Sequence, residues 1–273
     1  MGRLAGQVAI ITGASRGLGQ YCALGFAKEG ARVAIAARTV AETDKRLPGT
    51  IYHTADLINE AGGEALPVIC NVADPASITA MTKQVLDRWG RIDILMNNAA
   101  IQPPGDNSDI REKHWNLIYN VNVNGPFYCI RAVLPAMAEQ QHGNIINISS
   151  AATMGGTPYG GTKRALEAMT EGLALELRNK NIAVNALKPV SAIETPGFLF
   201  AQVPRGDGQG STPELPPPDS YVEAAILLAC QTPDTYTGQI NNDAEVIGNL
   251  ADEKTKERLK ELNPDYWVSA MES

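Results

Sequence analysis

Short β-branched apolar runs alternate with longer amphipathic stretches through roughly the first two thirds of the chain. The pattern predicts strands over 7–12, 32–36, 65–70, 92–96, 144–149 and 182–187. Most of these runs are apolar on both faces, as expected of a parallel sheet covered by helices on both sides. Helical spacing marks 17–29, 53–61, 75–89, 110–137 and 157–179. Asp74 before Pro75 reads as an N-cap ahead of a proline at the first helical position, and Gly90 as the residue that ends that helix. Strand and helix repeated in this order imply right-handed crossovers and a doubly wound α/β sheet.

The pattern degrades after Pro189. Residues 196–218 carry much of the proline and glycine, with one apolar knot at Phe198-Leu199-Phe200. Such a stretch reads either as a lid over a binding site or as a surface insertion. A helix over 221–229, a short strand over 237–241 and a charged helix over 251–262 follow. Nothing divides the chain, so the expectation is one catalytic domain over 1–250, including the lid, and a charged helical tail over 251–273.

Composition narrows the function. With 273 residues, 44% apolar and 19% charged, the chain can bury a large core and is no disordered segment. A net charge of −7 argues against nucleic acid or an anionic membrane surface as partner. No apolar run reaches the roughly 18 residues of a membrane span, and Arg16 interrupts the first apolar run too early for a signal peptide. Cys22, Cys70, Cys129 and Cys230 are scattered, and His53, His114 and His142 lack ligand spacing, so no metal site is expected and the cytoplasm is the expected location. Only 5% of residues are aromatic while glycine numbers 25, which favours close backbone packing.

Candidate chemistry begins at the first strand–helix junction, Thr12-Gly13-Ala14-Ser15-Arg16-Gly17-Leu18-Gly19. A dinucleotide pyrophosphate needs backbone N–H groups, a helix N-terminus behind them and no Cβ in the way, which glycines at 13, 17 and 19 supply. A glycine-rich turn closing any strand–helix unit is the plainer alternative. At the end of the second strand stands Ala36-Ala37-Arg38-Thr39, without the carboxylate that binds ribose hydroxyls in NAD sites. Arg38, with Arg16 as a second cation, suits a 2′-phosphate, so NADP(H) is the expected cofactor.

Tyr159 and Lys163 lie four apart, one helical turn on the same face. A phenol of pKa about 10 relays protons poorly at neutral pH unless a neighbouring cation favours its ionised form. Ser149-Ser150 just upstream offer a hydroxyl to a substrate oxygen, or cap a turn.

Taken in order, T-G-x-x-x-G-x-G, Asn97-Asn98-Ala99-Ala100, Ile148-Ser149-Ser150 and Y-x-x-x-K resemble the short-chain dehydrogenases/reductases over nearly the whole chain to about residue 247. The segments 38–67 and 183–195 resemble that family's hydroxysteroid dehydrogenase-like branch. The resemblance implies a Rossmann-type domain with a mainly parallel seven-stranded sheet. It implies Tyr159 as acid/base, Lys163 lowering its pKa, Ser150 orienting a carbonyl, and Asn122 holding a water against the lysine. Cofactor contacts are implied for Gly13, Ser15, Arg16, Gly17, Leu18, Gly19, Arg38, Asn71, Val72, Asn98, Ala99, Tyr159, Lys163, Ile193 and Thr195. The implied reaction is hydride transfer between nicotinamide and a carbonyl or secondary alcohol of a small, apolar substrate, in a dimer or tetramer. A weakly catalytic NADP(H)-binding relative is the alternative.

Four departures bear on that alternative. Ala100 stands where the family has glycine, Asn71 where it has aspartate, and the 189–195 segment is one residue longer and lacks its glycine. Ser150 and Tyr159 are only nine positions apart, fewer than is usual. Nine residues reach up to about 30 Å when extended, so closure is possible. It requires a short turn, eased by Gly155, Gly156, Gly160 and Gly161, with a more open wall or a displaced helix start.

Overall fold

The computed structural model describes residues 1–193, 195 and 215–264. The apolar knot at 198–200 and the last part of the tail lie outside them. Seven strands form one sheet in the order β3-β2-β1-β4-β5-β6-β7, every neighbouring pair parallel. They are β1 Val8–Thr12, β2 Arg32–Ala37, β3 Glu64–Ile69, β4 Ile94–Asn97, β5 Gly143–Ile148, β6 Ile182–Lys188 and β7 Ile240–Asn242. The doubly wound parallel sheet expected from periodicity is therefore present.

Alternation along the strands divides the core in two. Ala9 and Ile11 of β1 join Phe26 of α1 (Gly17–Lys28), Ile58 of α2 (Ile51–Glu60) and Tyr221 of α7 (Asp219–Ala229) on one face. Val8 and Ile10 point the other way. They join Met81 of α3 (Pro75–Trp89), Val133 of α5 (Gly125–Gln140) and Leu177 of α6 (Pro158–Leu177). Buried Asp93 fixes the start of β1, accepting from Val8 N at 2.9 Å and from Arg91 Nη2 at 2.6 Å.

Three elements depart from the periodicity. The helix expected over 110–137 is two, α4 (Glu112–Tyr119) and α5, joined by a π-helical turn at Asn120–Asn124. The N–H that an α-helix would give to the Asn122 carbonyl belongs to residue 126, and Pro126 has none. Gly125 N bonds instead to Asn120 O, five residues back. The second departure is α8 (Asp243–Leu250), an element that apolar spacing does not announce, opened by a reciprocal cap between Asn242 and Glu245. Finally, α9 (Glu253–Leu262) is not solvated all round: Leu259 is buried in the core and Arg258 bonds Glu223 of α7 at 3.1 Å. No helix among the described residues is long and apolar enough to cross a membrane.

Candidate active site

Where the strand order reverses, between β1 and β4, a parallel sheet opens a crevice at its carboxyl end. A cavity of about 350 Å³ lies there. Its lining comes from Gly13, Ser15, Arg16, Gly17, Leu18 and Gly19 after β1, Arg38 and Thr39 after β2, and Asn71 and Val72 after β3. Asn98, Ala99, Ala100 and Ile101 after β4, Val121 of the π turn, Leu47 and Thr195 also line it. Ala100 therefore puts a methyl on the wall. Ile193 belongs to the core rather than to this lining.

The glycine turn leaves no room for side chains. Gly13 and Gly17 have φ of +67° and +59°. A Cβ on Gly13 would lie 2.8 Å from Ala99 Cα, and one on Gly19 would lie 2.5 Å from Asn98 Nδ2 and 2.6 Å from Gly13 O. Asn98 holds the turn from beneath, its Nδ2 donating to Thr12 O at 2.8 Å. Thr12 Oγ1 accepts the N–H of both Asn98 and Ala99 at 3.1 Å. The result is a backbone cradle at a helix N-terminus, and these residues fit a dinucleotide pyrophosphate.

The two arginines differ. Arg16 donates from Nε to Pro48 O at 3.0 Å and from Nη2 to Gly49 O at 2.9 Å, and burial lowers its pKa. It latches the long β2–α2 connection against the glycine turn, where a Cβ on Gly49 would lie 2.4 Å from Ser15 O. Arg38 is exposed at the cavity rim. Asn71 turns its amide oxygen to Ala73 N at 3.2 Å.

Tyr159, Lys163 and Ser150 converge. The short connection closes through a tight helical turn at Ala151–Met154, and α6 starts at Pro158, capped by Thr157. A Cβ on Gly160 would lie 2.2 Å from Ala152 O, so this glycine is what lets α6 close on the turn, while Gly156 supplies a φ of +65°. Ser150 lies beside the Tyr159 phenol, and its Oγ accepts from Ala152 N at 3.2 Å. The phenol is half-buried: burial pushes its pKa above 10 and the neighbouring Ser150 hydroxyl pulls it back.

Lys163 is 2% exposed. Its Nζ donates to Ile148 O at 2.6 Å and lies 5.6 Å from the Tyr159 ring centroid. Sequence reasoning has this cation lowering the tyrosine; here burial is the larger influence on the phenol, and the ammonium is directed at a carbonyl. Asn122 is buried in the π turn. Its side chain clamps Ile101, accepting from N and donating to O at 2.9 Å each, and donates to Thr162 Oγ1 at 3.1 Å.

Residues 7–198 match the short chain dehydrogenase family. This chain belongs to it. A dehydrogenase/reductase relative from Thauera aromatica, (2S)-[(R)-hydroxy(phenyl)methyl]succinyl-CoA dehydrogenase subunit BbsD, is 35% identical over 86% of this chain and 93% of its own. Human hydroxysteroid dehydrogenase-like protein 2 is 35% identical over 90% of this chain, which spans 58% of that relative's length. A metagenomic short-chain oxidoreductase solved with NADP superimposes with a TM-score of 0.71 at 30% identity, covering 88% of this chain and 98% of that one.

Sequence reasoning on this short-chain dehydrogenase misses Thr12, Ile101 and Leu47, which brace or line the crevice. It also passes over Glu167, which lies another four residues beyond Lys163 on the same helical stripe.

Two outcomes follow from this geometry. Gly19→Ala forces a Cβ into Asn98 Nδ2 and Gly13 O, so coenzyme affinity by fluorescence titration should fall by about tenfold or more. Lys163 loses its proton near pH 8 instead of 10.5 because burial disfavours the cation. Its folded pKa is depressed, so the unfolded chain binds the extra proton between those values. The penalty, about 3 kcal/mol, is complete below pH 8 and fades as pH approaches 10.5. Lys163→Met should therefore raise the unfolding temperature by several degrees at pH 7 and by less at pH 9.5, measured by thermal melts.

Proposed function

We propose that the chain is an NADP(H)-dependent oxidoreductase acting on a carbonyl or secondary alcohol of a small apolar substrate. The observation that carries the reading is the buried Lys163, its Nζ on Ile148 O and 5.6 Å from the Tyr159 ring centroid, with Ser150 beside that tyrosine. The bound coenzyme supplies or accepts the hydride. Tyr159 Oη gives a proton to the carbonyl oxygen during reduction and takes one from the alcohol during oxidation. Its raised pKa keeps it protonated through neutral pH, ready to act as the acid. Ser150 Oγ orients the same oxygen. Lys163 Nζ serves the nicotinamide ribose, and a water between it and the Asn122 carbonyl refills the tyrosine's proton.

Arg38 is the residue assigned to the 2′-phosphate. No carboxylate stands at the end of β2 to repel it, and its guanidinium is exposed at the rim. Arg16 supports that subsite indirectly, by holding residues 48–49. The relative solved with NADP is consistent with this preference. Met154, fully exposed beside the Ser150 turn, favours an apolar substrate. Exposed Trp115, Leu117, Phe127 and Leu175 on α4, α5 and α6 favour assembly through those helices. What disfavours a purely coenzyme-binding role is that the short connection still brings Ser150 beside Tyr159.

Two variants test the reading. Tyr159→Phe keeps the ring and removes the proton, so NADPH oxidation with a ketone panel should drop by about 100-fold or more while NADPH binding persists. Retained turnover would refute the mechanism. Arg38→Asp should reverse the coenzyme preference toward NADH; unaltered NADPH affinity would refute the assignment.

A further inference from the structure

The end of β5 meets one stripe of α6 at three levels. Ser150 lies beside Tyr159, Ile148 O accepts from Lys163 Nζ, and Ser149 Oγ donates to Glu167 Oε1 at 2.7 Å. Residues 159, 163 and 167 are four apart, so they line one side of the helix at successive turns. Two levels end in catalytic groups. The third does not, yet Ser149 stands between Ile148 and Ser150, the two residues that meet those groups.

That third level is an expensive construction for a mere packing contact. Ser149 and Glu167 are 3% and 4% exposed. A carboxylate so far from water is held against its desolvation cost, and apolar side chains of similar size would fill the space as well. What apolar packing lacks is a fixed height along the helix. A directional bond between a strand residue and a helix residue sets that height. The glycine-rich connection from Ser150 to Tyr159 does not, because glycine leaves the backbone permissive. The other Glu167 oxygen faces Arg164 Nη1 at 3.8 Å, toward solvent.

We propose that Ser149 and Glu167 are a positioning pair. Their bond sets the register of β5 against α6 at which Ser150 meets Tyr159 and Lys163 meets the Ile148 carbonyl. This rests on the reading of Tyr159 as the proton donor. It also explains why the second serine of the pair orients substrate: the first is engaged with Glu167.

The test compares wild type with Ser149→Ala, Glu167→Gln and the double variant Ser149→Ala/Glu167→Met, which removes the pair without stranding a charge. Each is checked for folding by thermal melts and for NADPH affinity. Two quantities are read: ketone turnover, and the ionisation of Tyr159, taken as the 295-nm titration of each protein less that of its Tyr159→Phe counterpart. Glu167→Gln still accepts the Ser149 bond and should behave as wild type in both. Ser149→Ala and the double variant should lose roughly tenfold in kcat with NADPH affinity nearly unchanged. They should also move the Tyr159 titration to higher pH, because the Ser150 hydroxyl, whose presence beside the phenol lowers its pKa, moves away from it. Folded variants with both quantities unchanged would overturn the proposal. If wild type reduces no ketone, the oxidoreductase reading falls on its own, and the Tyr159 titration still decides whether the pair sets the register.

Discussion

A lysine ammonium almost out of reach of water is the constraint around which this site is arranged. Burial disfavours the cation and brings the Lys163 pKa down to about 8. The group stays cationic at neutral pH with its Nζ on Ile148 O, at the end of a central strand. That carbonyl is fixed in space only because β5 is paired on both sides, to β4 and β6. Position and charge of the lysine therefore depend on the whole sheet, and α6 depends on the sheet through the lysine. Burying a cation whose bond is to a neutral carbonyl costs the fold stability, and the sheet is what bears that cost.

The coenzyme crevice follows a different logic, in which rigidity comes from neutral groups. Asn98 and Thr12 bond only backbone around the glycine turn, and every position where a side chain would intrude is glycine or is closed by contact with Ala99. Neutral donors keep the cradle in shape without placing a counter-charge where a pyrophosphate must sit. The positive field is left to the helix terminus and to side chains at the rim.

Much of this was legible in the sequence, and the exceptions share a cause. Strand periodicity, the glycine turn and the Tyr159–Lys163 spacing are local signals, and each appears where it was expected. Pro126 was visible too, but its consequence depends on which carbonyl it deprives inside a longer helix, and apolar spacing runs through a π turn undisturbed. The α8 helix was readable from its Asn242–Glu245 cap rather than from its apolar pattern. By contrast, nothing near Arg16 announces that Pro48 and Gly49 will fold back onto it, since those carbonyls are more than thirty residues away. Lys163 was legible as a partner of Tyr159, but not the competition it faces, because burial is a property of the finished fold.

Arg16 and Arg38 carry that point furthest. By residue type they are equivalent candidates for a phosphate, and both line the crevice. The fold separates them: one guanidinium satisfies two backbone carbonyls of a connection that has no strand or helix of its own, and the other remains at the rim. An arginine bound to carbonyls keeps its charge, so it still contributes to the potential while its donors are committed elsewhere. Charge counted along the chain thus overstates the number of groups able to grip an anion. The β2–α2 connection, by engaging one arginine, sets which guanidinium at the crevice keeps its donors free: changing residues 48–49 would release Arg16 without touching either arginine.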